Sequence, residues 1–577
     1  MTGNISVATV ARKRTLYLGV VDSNFDIEND IASGPYCFLG REEQVPEWRS
    51  LSFVDAFNNK EQIYSSQKDL LRLINHLMPG FAAKLNARHG SAYSVDFWRI
   101  IIFPWALELA QSVWTQFNMF TKLVAEYSNE AVQVPLYRKV DPWRFHNVSN
   151  FMTALLNESG FNLWFDSQII ERLAPSTWHL YEAGTVKQDK SIEVSPWKPG
   201  LARRIKLGLG YGDIIGTRFG GPLLAVFANL LPGSPSNHTI QPEDDFNPDK
   251  IFPRLFLDIL DEMMDATQPQ SYGDGFQALV QSAERFWTRP GRLRLGTLDL
   301  WNDGEKIVAA LSKEAGEKLV ICQHGGGYAT AKFHVHTTEY EYRNGTFITW
   351  GWSDYEGSDG RFVPLPSPAL GNVAWKHRGH GGQLILVGDP IRLRMLRLNA
   401  GPLAGGWVKY CEESRDFIAA LPDGVRNRTS FRPYMGTATD ISSSYITDAF
   451  PDVPLIQDDF HEAMLDARLI VLRGPGSTLN YAMVAGTPTV IVWNPDMWPL
   501  EGKAESIFQD FYGCGIVFDD AEAAARHIES VWDDIDGWWQ SDMVCQARQR
   551  YIDRFARSDR WWWWRWAAAL IKLRNTG

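Results

Sequence analysis

Residues 467–495 read ARLIVLRGPGSTLNYAMVAGTPTVIVWNP. Leu469–Leu472 is a short apolar run with β-branched residues, which predicts a buried strand. Gly474-Pro475-Gly476 then makes a tight turn, and Ser477-Thr478 opens a helix. Gly486-Thr487-Pro488 ends that helix and feeds a second buried strand at Thr489–Trp493. Strand, helix and strand at this spacing imply parallel pairing through a crossover, hence an α/β fold. A helix start presents backbone N–H groups and the positive end of the helix dipole, so it suits a phosphate. Gly474 and Gly476 allow close backbone approach, and the two hydroxyls add donors. A serine or threonine there is also an ordinary helix cap. Arg473, beside the turn, suits either a phosphate or an internal salt bridge.

The alternation extends towards the N-terminus. Leu384–Gly388 reads as the first strand of a new sheet, after a boundary at residues 378–383 (RGHGGQ). A helix over 408–421 and a strand ending at Arg432-Pro433-Tyr434 follow. Arg432 precedes a proline and so sits extended at a strand end, where it could clamp a phosphate or a sugar carboxylate, or make a salt bridge. Asn494, at the C-terminal edge of the second strand, could touch a ligand or serve its own turn.

In the first half, residues 61–124 read as helical with a break at Arg88-His89-Gly90, and residues 191–253 as long loops. KLVICQ (318–323) is a strand running straight into His324-Gly325-Gly326-Gly327. A histidine at the C-terminal edge of a strand sits where α/β sheets place ligands, and its pKa suits proton transfer. Gly325, Gly326 and Gly327 permit positive φ and close approach, making a nest of N–H donors for an anion. The plainer alternative is a glycine turn with a capping histidine. TFITWGW (346–352) is a further strand.

Composition bounds the rest. The chain has 577 residues, 45% hydrophobic and 22% charged, as a soluble globular protein does. A net charge of −11 without a long basic run disfavours nucleic acid as a partner. Five scattered cysteines without a CxxC point to a reducing compartment. Neither HExxH nor a Cys/His cluster is present, and Asp534-Ile535-Asp536 follows a helix rather than a strand, so no metal site is expected. No signal peptide or spanning segment is read, and the expected location is cytoplasmic.

Ala467, Leu469, Ile470, Ser477, Thr478, Leu479, Gly486 and Pro488 resemble the donor-binding segment of GT-B glycosyltransferases. The resemblance implies two Rossmann-like domains facing a cleft, with an N-terminal helical elaboration. Residues 1–382 would form the acceptor side, 383–550 the nucleotide-sugar domain, and 551–577 a helix packing back across both. In that family an acidic residue one turn into the helix holds the ribose; here Tyr481 stands there, which implies an altered donor, a changed pose or lost activity.

A longer resemblance runs through Leu85-Asn86, His89-Gly90, Tyr93-Ser94, Phe97-Trp98-Arg99-Ile100, Pro104-Trp105, Gln323–Thr330 (with Ala329 in place of a glycine), Thr349–Trp352 and Arg554-Phe555-Ala556. It is similar to a bacterial family of surface-carbohydrate transferases. That implies metal-independent transfer from a nucleotide-sugar to a glycan or lipid-linked glycan, with the nucleotide-sugar as substrate and no cofactor. His324 would be the catalytic base. Gly325, Gly326, Gly327, Arg432, Arg473, Gly474, Gly476, Ser477, Thr478, Tyr481 and Asn494 would bind the donor. His89, Arg99, His336 and Glu339 are weaker acceptor-side candidates, and the acidic position of the resembled pattern falls on Glu339 or Glu341. A nucleotide-sugar epimerase or hydrolase of the same fold, and a non-catalytic glycan-binding subunit, are the alternatives. The run Trp561–Trp564, Arg565, Trp566 leaves peripheral contact with the inner face of the cytoplasmic membrane open. Packing of a terminal helix is the favoured reading, because four consecutive tryptophans cannot share one helix face.

Overall fold

The computed structural model describes residues 13–41, 43–188, 197, 199–212, 220–230, 233–235, 246–284, 290–332, 337–379, 382–391, 394, 398, 406–434, 441–457 and 459–575. Among these, the strands form three sheets in which every pair is parallel. The first contains β1 (Arg14–Tyr17), β2 (Ile31–Ala32), β3 (Val132–Lys139) and β4 (His179–Val186), in the order β2-β1-β3-β4. The second contains β5 (Leu293–Gly296), β6 (Lys318–Cys322), β7 (Thr346–Thr349) and β8 (Arg361–Pro364), in sequential order. The third contains β9 (Leu384–Val387), β10 (Thr429–Arg432), β11 (Leu469–Leu472), β12 (Thr489–Val492) and β13 (Val517–Phe518), in the order β10-β9-β11-β12-β13.

The chain is thus an α/β protein built on parallel sheets. The third sheet matches the alternation read from the sequence, because β9, β11 and β12 are short apolar runs and β11 and β12 are buried along their whole length. Its order reverses between β9 and β11, and open sheets of this kind bind ligands beyond the strand ends at that point. Residues before 383 contribute two sheets rather than one. Between them lies the helix Val95–Tyr127, which packs on the helices Asp303–Glu314 and Ser159–Leu173. Its stretch FWRIIIFPWALELA is buried almost without interruption, and a helix apolar on all sides belongs in a core. The break read before it is real: Gly90 ends the helix Lys60–His89 with φ 61°, and Ser94 caps the next helix by accepting from the Phe97 amide.

Two differences stand out. β5 is hidden in the sequence because its run is RLRLG; Arg294 is nonetheless buried, its charge met by Glu317 at 2.9 Å. Within the stretch read as long loops lie the helices Leu201–Gly208 and Gly220–Ala228. The terminal helix Trp562–Asn575 covers one face of the second sheet together with Gly220–Ala228. Trp566 and Leu570 are fully buried there, each contributing about 2–3 kcal/mol by burial. Among the described residues, no helix is long and apolar enough to cross a membrane.

Candidate functional site

Two glycine turns from different sheets meet. The loop after β6 faces the turn after β11, and the Gly326 amide donates to Ser477 Oγ at 2.8 Å. A Cβ on Gly326 would lie 2.5 Å from Asn480 Oδ1 and 2.6 Å from Ser477 Cα, so no side chain fits between the turns. A Cβ on Gly325 would lie 3.2 Å from Ser477 Oγ. Of the three glycines, Gly327 is the one in the left-handed region, at φ 84°, while Gly325 and Gly326 serve close approach. Ala329 also sits left-handed, at φ 55°, where the family pattern carries glycine.

The same loop is held on its other side. Gln323 Oε1 accepts from the Trp350 amide (2.9 Å) and the Trp352 indole (3.0 Å). Gly351 has φ 130°, and a Cβ there would strike Asp553 O at 2.6 Å. Asn480 Nδ2 donates to Phe555 O at 2.7 Å. Lys332 N donates to Pro499 O and Glu501 N to Thr330 O, both at 2.9 Å. Motifs scattered over 230 positions therefore pack as one unit around Gly326.

His324 projects from this unit with a side chain 40% exposed. Its Nδ1 lies 2.9 Å from the Tyr328 hydroxyl, which donates to Glu341 Oε2 at 2.9 Å. Tyr328 is buried, and Glu341 is 1% exposed. Burial pushes the Glu341 carboxyl up to about 8, and burial also holds the His324 imidazole below its ordinary value. The Tyr328 hydroxyl lies within hydrogen-bond distance of both ring nitrogens of His324, Nδ1 at 2.9 Å and Nε2 at 3.3 Å.

His324 lines a cleft of about 970 Å³ at the C-terminal edge of the second sheet. Asp299, Trp301 and Asn302, just beyond β5, line it too, as do His146 and Trp197. Asp299 Oδ1 is held by the amides of Trp301 (2.7 Å) and Asn302 (2.8 Å). At the floor, Asp303 pairs with the fully buried Lys306 at 2.7 Å, and Lys306 Nζ also reaches Ile101 O and Tyr272 Oη at 3.0 Å. Among the described residues, no cluster of His, Cys, Asp and Glu could hold a metal ion.

The other sequence-selected residues fall elsewhere. Arg473 is 3% exposed and donates to Glu413 Oε2 (2.7 Å) and Val492 O (3.0 Å). Asn494 Nδ2 donates to the other oxygen of Glu413 at 3.1 Å. Arg432 donates to Ile456 O at 2.8 Å and stands over Phe460. Tyr481 is half-buried, edge-on to His461 at 4.8 Å. Gly474 lies under Trp498, where a Cβ would be 2.6 Å from the ring, whereas a Cβ on Gly476 would meet nothing within 4 Å. Ser477 is exposed and Thr478 partly so, at the start of the helix Ser477–Ala485.

Arg99 and Glu339 pair with each other at 3.3 Å, and Glu339 also binds Arg343 at 2.7 Å. Burial lowers the Arg99 guanidinium to about 10. This pair braces the turn Thr337–Glu341 that delivers Glu341; the glutamate beside His324 is Glu341, not Glu339. His89 is bonded to Tyr272 O at 2.9 Å and packed between Phe276 and Trp98. His336 lies outside the described residues. Asp299, Trp301 and Tyr328 are not singled out by the sequence, and Glu341 enters there only as the alternative to Glu339 at one acidic position. The signal for the first two is the polar run TLDLWND directly after a short strand, with Asn302 capping the next helix.

No curated protein matches this chain. The model of the LIC12162 family transferases matches residues 14–207 and 228–570. The chain whose His324 loop and Ser477 turn have just been described thus belongs to the LIC12162 family of transferases.

Proposed function

We propose that the protein is a GT-B-type glycosyltransferase that moves a sugar from a nucleotide-sugar to a glycan or lipid-linked glycan destined for the cell surface. The observation that carries this reading is the seating of the His324 loop on the start of the Ser477 helix, through Gly326 and Ser477 Oγ at 2.8 Å. It brings an imidazole beside a cleft close to an anion-binding helix start on a facing sheet.

In this reading the donor diphosphate lies at the Ser477-Thr478 end of the helix, in the open space beside Gly476. The helix dipole and backbone N–H groups stabilise the departing nucleotide without a metal. The acceptor occupies the Asp299–Trp301 side of the cleft, where Trp301 and Trp197 offer faces to sugar rings. His324 Nε2 takes the acceptor hydroxyl proton as the new C–O bond forms and the sugar–phosphate bond breaks, the electron pair leaving with the nucleotide. Tyr328 and Glu341 orient the imidazole. Tyr481 supplies no carboxylate for a ribose, so the nucleotide is held differently from the family pattern.

Thermal-shift screening of nucleoside diphosphates and nucleotide-sugars tests the reading. One nucleotide class raises the melting temperature of the wild type and not of Ser477→Ala/Thr478→Ala. If none does, the donor site is wrong.

A further inference from the structure

The helix Gly220–Ala228 reads GGPLLAVFA and carries no polar side chain. Leu224, Ala225 and Ala228 pack against the second sheet, yet Leu223 is 70% exposed and Phe227 44%. Leu230, just beyond the helix, is also exposed. Beside it lies the helix Trp562–Asn575. Asn229 Nδ2 donates to Leu293 O at the start of β5, and Lys318 Nζ at the start of β6 donates to Arg574 O. Both helices therefore end at the same edge of the sheet and run side by side on one face. Trp566, Leu570 and Leu573 point to that face. Trp564 and Ile571 are exposed on the other side, with Trp563 stacked on Trp564 at 4.0 Å. The outward surface of the two helices thus exposes apolar and aromatic side chains, with Arg565 and Lys572 among them.

Charge selects what covers it. Residues 557–575 hold five basic side chains against one acid, Asp559, a net +4 in a chain of net −11; of these Arg560, Arg565 and Lys572 are exposed, Arg557 partly so, and Arg574 is buried. Arg565 is bonded to Asp559 at 2.6 Å, and Arg560 stands over Trp561. Tryptophans prefer the zone between lipid headgroups and acyl chains, and adjacent basic residues are drawn to anionic headgroups. A two-fold contact with a second copy would instead bring the two basic sets together.

We propose that this surface docks the protein on an anionic phospholipid bilayer, with Trp563, Trp564, Leu223 and Phe227 entering the interface. The proposal is independent of the reaction at His324.

The full chain is sedimented with phosphatidylcholine vesicles, with and without about one third phosphatidylglycerol. The wild type pellets with the anionic vesicles, and added salt weakens this. Trp563→Ser/Trp564→Ser and Leu223→Ser/Phe227→Ser each lower the bound fraction at least about threefold. Their melting temperatures stay near the wild-type value, since the replaced side chains are exposed. Equal pelleting with both vesicle types, or unchanged binding by both variants, overturns the proposal. So does a concentration-dependent dimer that Trp563→Ser/Trp564→Ser abolishes.

Discussion

The strand ends of the second and third sheets carry similar chemistry in opposite states. Beyond β9, β11 and β12, Asp389, Arg473 and Asn494 are tied to Tyr410 and Glu413 of the helix Trp407–Ala420. Burial lifts the Asp389 carboxyl to about 6, and Arg473 spends its guanidinium on Glu413 and a main-chain carbonyl. Beyond β5 and β6, Asp299 and His324 face a cleft of about 970 Å³, and their partners orient them without closing them off. A polar residue at a sheet edge becomes available for chemistry only where no helix is laid across it. At the first edge these side chains hold the fold and leave only the Ser477 helix start open; the second edge carries the proposed base.

Substitutions on the two edges should therefore fail differently. His324→Ala removes the proposed base and should lower transfer by roughly 10²–10⁴-fold, with little change in melting temperature, since its side chain is partly exposed. Arg473→Ala should cost about 3 kcal/mol, because it breaks a largely buried ion pair. Its melting temperature falls by several degrees, which calorimetry reads directly.

The Glu341 carboxyl sharpens the contrast through pH. Its folded pKa of about 8 lies above the ordinary 4.5. Between those values the unfolded chain loses the proton and the folded chain keeps it, so this group favours folding at low pH and withdraws that support as pH rises. Glu341→Gln should gain on the wild type from pH 4.5 to about 8, by on the order of 5 kcal/mol, and hold the difference above that. Urea melts at several pH values check it; a gap that shrinks with pH would contradict the buried neutral carboxyl. The smallest effect is at Ala329, whose φ of 55° strains a non-glycine residue. Ala329→Gly should stay within about 0.5 kcal/mol of the wild type, the relief of strain being offset by the lost burial of a methyl and the entropy cost, seen as a melting temperature within about a degree of the wild-type value.

The third sheet was legible because β9, β11 and β12 are uncharged apolar runs separated by helices. β5 was not, since Arg294 breaks the apolar pattern and only its pairing with Glu317, 23 residues away, explains how it is buried. His324 and the Ser477 turn were legible because glycines beside a strand end have few other uses. Their contact was not, because Gly326 and Ser477 stand 151 residues apart and only the packing of two sheets joins them. At Arg473 the sequence allows a phosphate contact or an internal salt bridge, and the partner, Glu413, lies 60 residues earlier, where only the fold brings it close. The sequence leaves the acidic position open between Glu339 and Glu341, because only the turn Thr337–Glu341 decides which of them meets His324 and which meets Arg99.

The most direct test of the central claim measures nucleotide release and melting temperature together for His324→Ala and Arg473→Ala, using the nucleotide-sugar selected by the thermal-shift screen. A crossing is expected: His324→Ala loses turnover at least about a hundredfold and keeps its melting temperature, while Arg473→Ala melts several degrees lower. Near-normal turnover by a folded His324→Ala protein would contradict it.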